Sequence, residues 1–499
     1  MARRSAKHDP QSITDITVRF GGGLNLAEAP TAIPDGQLLE ALNVVYQDGE
    51  ATPATRPGLL FGAAAVSGTP AITRLHYYVK SSTEAWLVGA FSDSTLRYYD
   101  SGAWTTIDTL SGTASTSPAL RTYNSRLLVA SGDPAGLSYW DGTTFAAIAS
   151  SPKADALHEM AGRLVANSSD DLDGVYLCAP EDETKWLTVD GAAFFRAGYR
   201  DGLRVNGFGG IGSDLIVFKA GTDGNTVYRL NTAGASTGWS IEALSSGQTL
   251  SGPHAVEFVG NNLLFGTEFG IMDLSGVQEY GDLRVGSVGK PINPALNGKT
   301  VREIRHIPSR GYTLVFIVDD PNVYVYHPLL TAWTRLNFQN LRFYTACQTP
   351  DGVYLGGESG VLYLLSSSDG RDETADGVFE DYQMLIRTKL FAFPYDVVLR
   401  RSMVNFEVLT NSTGCLCILS RDLITSKSLL SWTAEAGQTS LFDWNEQLAD
   451  ATWKLGANTQ DYLTSYSRAR ERSLAFQIST TTGRLKIREI IAQVAAVNG

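Results

Sequence analysis

One pattern recurs along most of this chain and leaves few folds open to it. An apolar strand is followed by a turn rich in Gly or Asp, then by a second strand that often ends in aromatics and Asp, as in AWLVGAFSDSTLRYYDSGAWTTI from Ala85 onward. Six further copies start near residues 126, 163, 214, 262, 313 and 352. The intervals, about 37 to 51 residues, are those of four-stranded propeller blades. A blade is a small twisted sheet with two apolar faces, so it needs a neighbour on each side to bury them. A closed ring supplies both. Stretches between the copies, such as ITRLHYYVK, HAVEFVGN and EIRHIPSR, alternate apolar and polar residues and supply the remaining strands. Helical periodicity over three or more turns is nearly absent. Two β-sandwiches in tandem would also show short strands and glycine turns, and they are the competing arrangement.

The expected fold class is therefore all-β, a β-propeller of about seven blades over residues 72–366, followed by a small β-sandwich or platform domain over 367–499. The polar run SSSDGRDETADG marks the change. Residues 1–20, with Arg3, Arg4 and Lys7 but no apolar run behind them, are expected to form a flexible arm. Residues 21–71 form a clasp region joining the propeller. Its motif comprises Asn43, Asp48, Gly49, Arg56, Pro57 and Gly58. Asp48-Gly49 is a hairpin signal, and Arg56-Pro57-Gly58 ends a strand by removing a donor and permitting a sharp turn. Because the seventh repeat is short, segment 40–62 is expected to pair with it and seal the ring, which an open edge would leave with unpaired backbone groups. In the last domain Arg484, Lys486 and Arg488 alternate, which would line one strand face with cations as a possible docking face.

Motifs for chemistry fail on their context. GFGGIG, Gly207 to Gly212, matches a dinucleotide fingerprint, but the strand SDLIVFKAG follows where a helix amino terminus is required, so a turn between strands is expected. NPALNGKT ends like a phosphate loop, yet Asn293 stands where the first glycine should be. His158 opens a possible zinc helix, and Gly162 occupies the second ligand position. The other histidines are widely scattered and are each taken as surface or packed residues. SSDDLDG, Ser168 to Gly174, lacks the closing bidentate Glu of a calcium loop. No cofactor is expected. With 52 acidic against 40 basic residues, a net charge of -12 argues against holding nucleic acid by phosphate neutralisation. No run of about 18 apolar residues offers a membrane-spanning helix. Four cysteines are too few for a disulfide scaffold.

The opening phrases RFGGGLNLAEAP, IPDGQLLEALNV and RPG, with DGLRVNGFGGIGSDLIVFKAGTDGNTVYRL and RARERSLAFQISTTTGRLKIREI further on, resemble the tail hub or nozzle proteins of short-tailed bacteriophages, also called packaged-DNA stabilisation proteins. The resemblance implies a homohexameric ring below the portal and adaptor proteins. Such a ring closes the DNA exit channel and conducts double-stranded DNA at ejection without specific binding. It also implies a place in the virion tail after synthesis in the host cytoplasm, possible attachment of tail fibres or spikes, and no catalytic residue. An acidic wall suits such a conduit, because lysine and arginine contacts to phosphates would retard the duplex. The alternative from another class is a carbohydrate-binding or glycan-cleaving propeller acting at a cell surface.

Overall fold

A computed structural model describes residues 13–47, 49–221, 225–246, 249–276, 283–339, 341–366, 370–419, 423–424, 426–434, 461–465 and 470–496. The chain divides into two compact units. One holds residues 60–324 and 338–365, and the other holds 1–59, 325–337 and 366–499.

The first unit is a propeller. Its first blade is the four-stranded sheet of Ile72–Val79, Ala85–Phe91, Thr95–Asp100 and Ala103–Thr109, paired in sequence order. Four more continuous blades begin at Ala119, Leu157, Arg204 and Val256. The sixth begins with Val301–Ile307 and Tyr312–Ile317, while residues 325–337, which finish that repeat, are counted with the other unit. The seventh consists of Phe343–Thr349, Gly352–Gly357 and Leu362–Ser366, with Gly58–Ala63 from far upstream as its fourth strand. Each copy recognised in the sequence starts at the second strand of a blade. The expected seal is thus present, and the strand that makes it is residues 58–63 rather than the whole of 40–62.

Tight turns make the hairpins. Tyr123 pairs with Arg126, and the two residues between them, Asn124 and Ser125, both take positive φ (48° and 59°). This is the mirror-image turn whose twist matches that of the strands. Ala161 and Gly162 repeat it in the third blade at 51° and 65°. Between blades lies the core. Tyr78, Val88 and Leu96 of the first pack with Leu120, Val129 and Trp140 of the second, and Tyr98 stacks on Trp140 at 5.4 Å. Trp186 joins the next layer. The ring closes where Ala63, Cys347, Tyr354 and Leu362 meet Ile72, Leu75, Leu87 and Phe91. Each buried Leu, Ile or Phe there contributes about 1.5–3 kcal/mol relative to exposure, so the seam between first and last blades is a core like the others.

The second unit is built from two sheets that share a strand. Phe391–Val408 pairs along its length with Leu485–Ala496, whose other edge takes Ile13–Val18. Gln37–Leu42, Met384–Thr388, Arg470–Thr482, Ser412–Leu419 and Ser426–Ala434 form the other sheet. Arg470–Thr482 begins against Phe391 and Val398 and ends in this second sheet. Phe406 of the first sheet stacks on Trp432 of the second at 5.2 Å. The expected boundaries need correcting here. The platform is not 367–499 alone, because amino-terminal strands pair with its carboxy-terminal ones and occupy edges that would otherwise lie open. Residues 13–18 of the expected arm are such a strand, and residues 1–12 lie outside the described residues.

A candidate functional site on the propeller axis

The first strands of six successive blades converge on a cavity of about 380 Å³. Arg74 and His76 come from the first blade, Arg121 from the second, His158 from the third, Glu257 from the fifth and Arg305 from the sixth, with His254 just ahead of the fifth. The fourth blade contributes Gly209 and Gly210. These belong to GFGGIG, whose first five residues lie in the innermost strand Arg204–Ile211 and whose Gly212 alone stands in the expected turn between strands, at φ 58°. The glycines are needed because strands crowd near the axis. A Cβ on Gly209 would stand 2.5 Å from a Leu263 methyl, and one on Gly210 would stand 3.0 Å from His158 Nε2.

Charge inside the cavity is unevenly partnered. Glu303, only 2% exposed, holds Arg305 at 2.8 Å and lies 3.0 Å from Arg74 Nη1. That contact lacks hydrogen-bond alignment, and Arg74 Nε is buried with no partner at all. Glu257 is 3.9 Å from Arg305. Burial works against the charge on Arg74 and Arg121, and also on Arg305, which Glu303 and Glu257 nevertheless hold more firmly protonated than usual. Burial pushes the Glu257 carboxyl up. The histidines are kept neutral. Burial first, and then neighbouring arginines, lower His76 and His158 to about 3 and His254 well below its usual value. His76 Nε2 lies 2.9 Å from Thr122 Oγ1, and the His254 Nε2–H donates to the Ser117 carbonyl at 3.1 Å.

The sequence treats these histidines singly, and the fold gathers three of them. The missed signal is positional. ITRLHYYVK, HAVEFVGN and EIRHIPSR are equivalent inner strands, and polar residues at corresponding places in them share one axis. His158 lies on the strand Leu157–Met160, not on a zinc helix. Among the described residues no group of three or more His, Cys, Asp or Glu is arranged to hold a metal, and no helix is long and apolar enough to cross a membrane.

The clasp motif lies in the second unit. Val44–Tyr46 and Pro53–Thr55 form the hairpin that Asp48-Gly49 signals, with Gly49 at φ 71° and Asp48 itself outside the described residues. Asn43, at φ 56°, accepts from Arg56 Nε at 3.1 Å and from the Asn337 N–H at 2.8 Å, and donates to the Gln383 carbonyl at 2.7 Å. Arg56 is fully buried. Its guanidinium grips both carboxylate oxygens of Asp372, 2.8 Å from Oδ1, and covers the Tyr382 ring at 3.6 Å. The Leu59 N–H donates to the same carboxylate at 3.1 Å. A planar fork on a carboxylate is the geometry arginine supplies and lysine cannot. Pro57 ends one strand as expected, whereas Gly58 adopts no left-handed φ and begins the next.

The expected docking face does not hold together. Arg484 is buried, 4% exposed, with its guanidinium directed at the Thr55 carbonyl. Its place just before Leu485–Ala496 turns it inward. Lys486 pairs with Glu50, and Arg488 pairs with Glu407 at 3.1 Å, so the two remaining cations are already matched by carboxylates.

No protein-family model and no curated protein matches the chain. Among solved structures it is similar to the computationally designed Ika8 protein (TM-score 0.39, 13% identity, covering 62% of this chain and 100% of that one). It is also similar to the WD40 β-propeller domain of Doa1 (0.40, 13%, 62% and 97%) and to the β-propeller domain of Myceliophteria thermophila Cps50 (Swd1) (0.43, 12%, 62% and 100%).

Proposed function

We propose that this chain is a structural component of a tailed-phage virion, a tail hub or nozzle ring that closes the DNA exit channel below the portal and adaptor and conducts the genome at ejection. The observation that carries this reading is the use made of the opening phrases in which the family resemblance is strongest. Their polar side chains are spent on internal joints. Asn25 bonds Gln37 at 2.6 Å, Asn43 ties three segments and Arg56 grips Asp372, which suits a rigid part made for assembly. The net charge of -12 suits a wall that does not grip phosphates. The axial cavity, at about 380 Å³, cannot admit a duplex whose major groove alone is about 12 Å wide. In this reading the conduit therefore lies between copies in a homohexamer joined by heterologous contacts, and fibres or spikes attach to the same ring.

Negative-stain imaging and native mass measurement of the purified chain, alone and with portal and adaptor, test this. Six-fold rings that stack on the adaptor are expected, and a chain that stays monomeric with both partners overturns it. A glycan-binding or glycan-cleaving propeller is the second reading. The observation on its side is the convergence of Arg74, Arg121 and Arg305 with Glu257 and Glu303 on the axis. Turnover of a glycoside by the monomer would favour it.

A further inference from the structure

We propose that the axial cavity is a binding site for a small oxyanion, of the class of inorganic phosphate or a short polycarboxylate. This stands apart from the ring assembly proposed above and can fail or hold without it.

Three guanidinium groups face the cavity, and the carboxylates within reach do not satisfy them. Glu303 is shared between Arg74 and Arg305. Among the described residues Glu257 comes within 4 Å of Arg305 alone, at 3.9 Å, an ion pair without a short hydrogen bond, and acts on Arg121 and Arg74 from further off. Among the described residues the Arg121 side chain makes no ion pair within 4 Å and no hydrogen bond, with Glu257 and Glu159 acting on it only from further off, and Arg74 Nε is buried without an acceptor. A guanidinium N–H kept from bulk water without an acceptor is an unspent donor, so a group with several acceptor oxygens placed there would satisfy it. Planar guanidinium forks suit such oxygens.

Size and framing agree with this class. The volume, about 380 Å³, equals that of roughly a dozen waters in the liquid, enough for phosphate or a tricarboxylate with some hydration and far too little for a folded segment. On the fourth blade's side Phe208 is the one side chain among the lining residues, and Gly209 and Gly210 beside it add none. Glu159, exposed, is the remaining carboxylate among the lining residues, and being acidic it opposes the anion and should weaken it slightly.

The test is titration calorimetry of the full chain with sodium phosphate and, separately, with citrate. Saturable binding at one site per chain, with a Kd of about 1 mM or tighter, is expected for at least one of them. Arg121→Gln should weaken it about tenfold or more, whereas Arg488→Gln, on the other unit, should leave it unchanged. Should Arg121→Gln not fold, Glu159→Gln serves in its place, with affinity raised about two- to fivefold at low salt. The proposal is overturned if neither anion binds saturably. It is equally overturned if Arg488→Gln weakens binding as much as Arg121→Gln, because the heat would then come from the general surface.

Discussion

The propeller and the second unit are both made of hydrogen-bonded strands, and they differ in how far along the chain each strand finds its partner. In the propeller nearly every strand pairs with the next, across turns such as Asn124-Ser125. In the second unit Asn43 meets Gln383, 340 residues on, Arg56 meets Asp372 across 316, and Thr55 meets Leu485 across 430. Closing a loop costs about 0.6 kcal/mol more for each doubling of its length, so such joints start a few kcal/mol behind a hairpin. The difference teaches where strong, specific polar contacts are needed. The blades bury polar joints too, but between successive blades these are short in sequence, as where Lys219 meets Asp173 across 46 residues, whereas the arginine fork of the second unit spans 316.

Acid should give the largest contrast. His76, His158 and His254 line the propeller axis beside Arg74, Arg121, Arg305 and Glu257, whereas among the described residues the second unit holds His327 alone, also lowered to about 3 by burial. The unfolded histidines take up protons near pH 6.5 and the folded ones resist. The unfolded chain therefore binds more protons as pH falls, and stability present above 6.5 is lost toward 3 at up to about 1.4 kcal/mol per pH unit for each histidine. Glu257, whose carboxyl burial pushes up, opposes this in the carboxylate range. Hydrogen exchange at pH 7 and pH 5 should show the blades losing protection first, and equal loss in both units would break the comparison.

Next in size is Arg56→Met. It strands the Asp372 carboxylate, 1% exposed, and should cost about 3–5 kcal/mol in urea unfolding, with protection lost in the second unit. If instead the blades open first, the fork is not what holds the distant segments.

Gly209→Ala probes the propeller by packing alone. Its Cβ would press on Leu263, itself 1% exposed, and a cost of about 1–3 kcal/mol is expected from thermal unfolding. The smallest effect belongs to Lys486→Ala, which removes a half-exposed pair with Glu50. A change under about 1 kcal/mol, shrinking further in high salt, is expected.

The same contrast governs what the sequence discloses. Repeats at fixed spacing disclose the blades, because a strand and its partner are close enough to be seen together. The seal was legible as an unmet need, the short seventh repeat. Nothing local in RLKIREI says that Ile13–Val18 will lie beside the strand it opens, or that Arg484 will turn inward to Thr55. Alternation predicts which residues share a face, but exposure depends on what covers it. The axial cavity was hidden for a related reason. Its residues lie in different repeats, so each looks like an isolated histidine or arginine until the ring superposes them.

The strand that closes the propeller has a temporal consequence. Gly58–Ala63 is made early, and its sheet is finished only when Leu362–Ser366 exists. At a ribosome rate of about 5–20 residues per second, the roughly 300 residues between them take on the order of 15–60 seconds to emerge. Throughout that interval the edge that Gly58–Ala63 will offer to Leu362–Ser366 waits without its mate, and the circle stays open.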